Sequence, residues 1–195
     1  MRAVKALQDA CIPQNQLHLI FQSRTIWRDL STWIRAYLAS KHGGLGDKEA
    51  VRDRLDKVII KSTNTFSLIF GEQSADEYVN FSSNFVNSLD ALADAQILGD
   101  IVAVNEYTKQ LHENSEKAAV FLATINPYWL ESRWRDLLYQ FNQHTIDQST
   151  TFLNKQFTEN IEIFSRILGI SSAIGDHYSQ GILDYLSFSS RRMSE

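Results

Sequence analysis

The chain predicts an all-α fold, an antiparallel bundle of about seven helices, on three observations. Two prolines and eight glycines in 195 residues supply too little punctuation for a strand-rich fold, which needs a turn every ~8–12 residues. Apolar residues recur at three- and four-residue steps along nearly the whole length. The joints between these stripes are short, so consecutive helices must fold back on one another. Hydrophobic residues at 44% and charged residues at 22% exclude a disordered or fibrous chain. One domain over residues 1–195 is expected at this length.

The first helix is expected after Pro13, running to about Ser40 on Ile20, Trp27, Leu30, Ile34 and Tyr37. Proline suits a helix's opening turn, because its missing N–H has no partner there anyway. His42-Gly43-Gly44-Leu45-Gly46 ends this helix, and Asp47 is placed to cap the second. The second carries Val51, Leu55, Val58, Ile59, Phe66 and Ile69, and its other face mixes both charge signs as a solvated surface does. A third follows Gly71 with Tyr78, Phe81, Phe85, Leu89 and Leu92. Leu98-Gly99-Asp100 reads as a tight joint to a fourth, striped by Ile101, Val104, Leu111, Ala118 and Leu122.

Asn126-Pro127 reads as cap and first turn of a fifth helix with Leu130, Trp134, Leu137, Leu138 and Phe141. A sixth takes Phe152, Leu153, Phe157, Ile161, Phe164 and Leu168 and ends at Gly169. A seventh takes Ile174, Tyr178, Ile182, Tyr185 and Leu186 before a polar tail, Ser189–Arg192. Shifting residues 55–75 by 98 positions matches Leu55 to Leu153, Phe66 to Phe164, Ile69 to Ile167 and Gly71 to Gly169. Trp27-Arg28-Asp29-Leu30 also recurs as Trp134-Arg135-Asp136-Leu137. These matches suggest two repeats, residues 14–98 and 99–188.

Several function classes fall away. A net charge of −4 with pI near 5.7 gives no electrostatic footprint for nucleic acid. The best apolar run, Ala118–Ala123, is far short of the ~18 residues that span a membrane. No signal-like segment precedes it, so a soluble cytoplasmic protein is expected. Cys11, the single cysteine, cannot form an intramolecular disulfide and reads as a small hydrophobe or a free thiol. The five histidines form no i, i+4 pair. His144 with Asp147, and Glu159 with Glu162, are ligand pairs at best or plain surface charges. The glycine cluster at 43–46 lacks the order of a phosphate loop. No catalytic residue, metal site or cofactor is therefore expected.

The aromatic residues point elsewhere. Trp27 and Trp134 fit core stripes, whereas Trp33 and Trp129 fall off them and suit an interface or a pocket wall. Charge is depleted from Leu137 to Asn154 and from Leu168 to Ser190. Such helices desolvate easily and suit packing on each other or on a second subunit.

Asn126-Pro127-Tyr128-Trp129, followed by Trp134 and Leu138-Tyr139, resembles a family of small two-repeat helical bacterial proteins of uncharacterised function. Trp27, Trp33-Ile34-Arg35, the Gly99-Asp100 joint and Asn114 followed by Ala118–Leu122 belong to the same resemblance, over roughly residues 17–183. Members are sometimes labelled acetylglutamate kinase, but this chain has neither the α/β alternation nor the glycine-rich loops such a kinase needs. That family places histidines on three helices where this sequence has Leu30, Phe85 and Phe141. Apolar side chains cannot ligate or relay a proton, so the resemblance implies a divergent member that keeps only the scaffold.

The resulting expectation is a non-catalytic bundle that acts by protein–protein or self association. The alternative is a small-ligand or metal-binding bundle with a pocket between the repeats. Candidate binding residues are Trp33, Arg35, Trp129, Trp134 and Tyr139.

Overall fold

Helical spacing in the sequence becomes six helices among residues 13–192, the residues described by the computed structural model. They are α1 (Gln14–Gly43), α2 (Lys48–Phe70), α3 (Glu72–Leu98), α4 (Ile101–Ile125), α5 (Glu131–Leu153) and α6 (Phe157–Arg192). Cys11 lies outside the described residues. The first four helices start and stop close to their sequence signals. Asp47 does precede α2, but its carboxylate accepts a 2.6 Å hydrogen bond from Ser40 Oγ instead of capping the helix. Asp100 caps α4 directly, its side chain accepting from the Ala103 N–H at 3.0 Å. Gly71 alone joins α2 to α3 at φ 84°, ψ 166°, a conformation closed to residues with a Cβ.

Two expectations about the second half are corrected. Asn126-Pro127 does not open a helix: Asn126 ends α4, Pro127–Trp129 form a turn, and α5 starts at Glu131. The expected sixth and seventh helices are one, so the described bundle has six. Gly169 lies inside α6, where an exposed interior glycine costs only about 1 kcal/mol. A continuous buried stripe of Ile163, Ile167, Ile174, Tyr178 and Ile182 carries the helix past it and on through Arg192. Phe152 and Leu153 instead close α5.

The start of α6 also shows a different inward face from the expected one. Asn160 is buried, its amide donating to Gln148 O and Thr151 Oγ1, both at 3.0 Å. With that side chain turned inside, Phe157 and Ile161 are turned outward. Ile101 and Leu130, also expected in stripes, are exposed at helix starts.

Each helix packs on the next in sequence, and α6 closes the ring against α1. Inside the ring α1, α3 and α5 touch pairwise. His42 meets Ser149 at 2.9 Å and Gln96 donates to Thr150 at 3.0 Å, so the C-terminal ends of these three helices lie together. They run parallel, with α2, α4 and α6 returning between them. The arrangement can be described as three helical hairpins around a shared core. Matched positions of the suggested repeats differ accordingly: Gly71 is a joint and Gly169 is helical, while Leu55 is buried and Leu153 exposed.

The α1–α6 seam is the tightest. A Cβ at Gly175 would sit 2.7 Å from the backbone N and Cα of Arg24. Ser31 and Ser171 share a buried 2.6 Å hydrogen bond, and Arg24 holds Asp176 in a two-pronged ion pair at 2.5 and 2.7 Å. Charge depletion is explained within the chain, because Thr145, Gln148, Ser149, Thr151, Ser171 and Ser179 are all buried. No helix among the described residues is long and apolar enough to cross a membrane.

Candidate functional site

Of the five sequence-predicted binding residues, the structure brings Trp129 and Trp134 together, while Trp33, Arg35 and Tyr139 meet other neighbours. Trp33 is half-buried on α1 with the Arg54 guanidinium 5.4 Å over its ring. Arg35, two residues on, faces the α5 and α6 side, between Phe152 and Phe164 at 5.5 and 5.0 Å. Its Nε is buried without a hydrogen-bond partner, and burial lowers its pKa; the aromatic faces are what compensate the charge. Tyr139 is exposed and stacks on His112 at 4.7 Å. Trp134 is fully buried, edge-on to Trp129 and beside His177. None of these five residues lines the cavity described below.

Trp129 is the clearest correction, being core instead of interface at 2% exposure. The turn that precedes α5 drives it inward. Asn126 Oδ1 accepts the Tyr128 N–H and Asn126 Nδ2 donates to Gly181 O, both at 3.0 Å. The indole then donates to Tyr178 O at 3.2 Å and packs among Phe70, Trp134 and Tyr178. Asn126-Pro127-Tyr128-Trp129 is thus a clasp on α6.

A polar cluster occupies the joined ends of α1 and α3. Lys41, 5% exposed, pairs with Asp90 and with Asp94 at 2.9 Å, while Tyr37 donates to Asp90 at 2.5 Å. Burial raises the Asp90 pKa, but hydrogen bonds from Lys41 and Tyr37 outweigh it and the net shift is downward. Burial, with Asp90 adding to it, pushes the Tyr37 hydroxyl well up. Beside them Ser149 donates to Gln96 at 2.6 Å and meets His42, whose pKa burial and then the Lys41 charge lower. Every charge here has an internal partner, so the cluster fastens helices.

Two unclaimed features remain. One is a cavity of about 60 Å³ bounded by α1, α3, α4 and α5. Leu30, Phe85 and Phe141, separate in sequence, all line it. No charged side chain does, and the polar contribution comes from Ser82, Tyr78, Asn114, Ser115 and Asn142. The other is an apolar surface at the bundle end that holds the α1–α2, α3–α4 and α5–α6 joints. Leu98, Ile101 and Val102 are 81%, 74% and 81% exposed there, accompanied by Leu45, Ile97, Leu153, Phe157 and Ile161.

Among the described residues no three His, Cys, Asp or Glu side chains are grouped as a metal ion would require. His144 and Asp147 do approach, at 3.8 Å, as a surface pair. Sequence reasoning missed Asn142 and the exposed joint residues. Asn142 lies among Gln140, Gln143 and His144, and nothing in the sequence marks it out from them as the buried amide. Leu98, Ile101 and Val102 flank a predicted tight joint, where apolar side chains have no neighbouring turn to cover them. No protein-family model, curated protein or solved structure matches this chain.

Proposed function

We propose that the protein works by association, binding a second copy of itself end-on through the surface around Leu98, Ile101 and Val102. One observation supports this reading: large apolar side chains gather at the end carrying three of the five interhelical joints, with Leu98 and Val102 each 81% exposed. Apolar patches of this kind mark interaction sites on soluble proteins. The residues come from all three hairpins, and the Lys41 charge at the same end is already paired internally with Asp90 and Asp94. A self-complementary patch forms a closed twofold dimer most simply. Catalysis has no comparable support, because the titratable groups that meet one another are paired structurally.

Native mass spectrometry and sedimentation of the wild-type chain test the proposal against Leu98→Glu and Val102→Glu. Both positions are exposed, so both variants should melt as the wild type does. A wild-type dimer and monomeric variants are expected. A wild-type monomer at the highest soluble concentration, or dimeric variants, would overturn it.

A further inference from the structure

The helices α1, α3 and α5 all finish at the apolar end of the bundle, and their closing hydrogen bonds are the same. At each joint one N–H bonds the carbonyl three residues back, and the next N–H bonds the carbonyl five back. The first of these donors is Gly44, Gly99 or Lys155, reaching Lys41, Gln96 or Phe152. The second is Leu45, Asp100 or Gln156, reaching Ser40, Ala95 or Thr151. A closure of this kind takes a left-handed residue, ordinarily glycine. Gly44 and Gly99 supply it at φ 64° and 71°, but the third joint uses Lys155 at φ 56°. No other non-glycine residue has a positive φ among the described residues. A Cβ disfavours that backbone, and lysine lacks the short polar side chain with which asparagine offsets it. The dipole of α5 does not require the lysine there. A base within the last turn, such as Lys41 or His42 on α1, complements a dipole without left-handed backbone.

The side chain of Lys155 is exposed, in a stretch whose apolar members Leu153 and Phe157 are exposed too. Asp100 is exposed at the neighbouring corner, beside Leu98, Ile101 and Val102 in sequence. Its carboxylate accepts the Ala103 N–H at 3.0 Å and meets no cation among the described residues. Other charges at these joints are engaged within the chain. Lys48 pairs with Glu49 at 3.3 Å, Asp94 pairs with Lys41 at 2.9 Å, and Glu159 accepts from Gln156 at 3.0 Å. Lys155 and Asp100 are left as an unpaired base and an unpaired acid, each set in an apolar corner of one end. In a twofold contact residue i meets residue j and j meets i. A base at one corner and an acid at the next therefore make this end complementary to itself.

We infer that Lys155 and Asp100 set the orientation of the end-on dimer, the ammonium of each Lys155 pairing with the partner subunit's Asp100. This rests on the association proposed above and supplies its polar determinants. Sedimentation equilibrium of the wild type, Lys155→Gly, Asp100→Asn and the double variant tests it. Glycine suits the left-handed joint and asparagine caps a helix as well as aspartate does, so these variants should fold. Each single variant should weaken dimerisation roughly two- to thirtyfold, because the twofold axis removes two exposed pairs at once. The double variant should be no weaker than the singles, as the two side chains act as one pair. Added salt should loosen the wild-type dimer and affect the Lys155→Gly dimer less. A dimer that Leu98→Glu abolishes but Lys155→Gly leaves unchanged overturns this inference alone. Single effects that multiply in the double variant do the same. A wild-type monomer overturns both this inference and the association on which it rests.

Discussion

The indole of Trp129 lies where a side chain at residue 181 would have to be: a Cβ on Gly181 would fall 2.0 Å from Trp129 Cδ1 and Nε1. The turn after α4 and the second half of α6 are therefore built for each other. Gly181→Ala should destabilise the fold by about 1–3 kcal/mol through overpacking. Trp129→Ala should cost about 3–5 kcal/mol through the void it leaves. Denaturant titration measures both, and a Gly181→Ala midpoint equal to wild type would refute the close fit.

Gln148 gives a prediction of the opposite sign. It is fully buried on α5, and neither its Nε2 nor its Oε1 has a hydrogen-bond partner. Gln148→Met keeps the shape and removes two unsatisfied groups, which should raise stability by about 1 kcal/mol. A lower melting temperature for this variant would show that the amide does bonded work in solution.

Histidine burial sets a pH dependence. His42, His112 and His177 all have pKa values lowered chiefly by burial, with the Arg133 charge assisting at His177. The unfolded chain then binds more protons than the folded one. Their contribution is complete above the unfolded value near 6.5 and is lost as pH falls through the folded values. Melting temperature should decline between about pH 7 and pH 5, and His42→Gln should make the decline shallower. A flat profile for the wild type would contradict this.

At lower pH the Asp90 carboxylate takes over. Its folded pKa lies below its ordinary value of 3.8, so its contribution is present above that value and lost as pH falls through the folded one. Asp90→Asn should cost about 1–3 kcal/mol at neutral pH, because it leaves Lys41 with Asp94 alone. The difference from wild type should shrink once both chains are below pH ~3. Urea titrations at the two pH values read it directly.

Much of the helical framework is legible in the sequence because burial and period coincide: Leu55, Phe66, Leu89, Leu111 and Trp134 fall on their stripes and are buried. Pro127 misleads because Asn-Pro opens a helix or a turn equally well, and only Gly181, fifty-four residues away, favours the turn. Gly169 misleads because one glycine is a weak breaker when isoleucines on both sides are buried. The cavity was less legible still. Leu30, Phe85 and Phe141 are ordinary stripe residues one by one, and only the parallel register of α1, α3 and α5 places them around one space.

The closure of α6 onto α1 has a kinetic consequence. Five of the six neighbouring pairs around the ring are hairpin-close in sequence, so each can form with little loop entropy. The sixth joins Ser31 to Ser171 and Arg24 to Asp176, across 140 and 152 residues. Those contacts carry the largest loop-closure cost in the ring, so weakening them should quicken unfolding while leaving the folding rate nearly unchanged. The seam that finishes the ring is in this sense its latch, the closure whose strength should govern how long the folded chain persists.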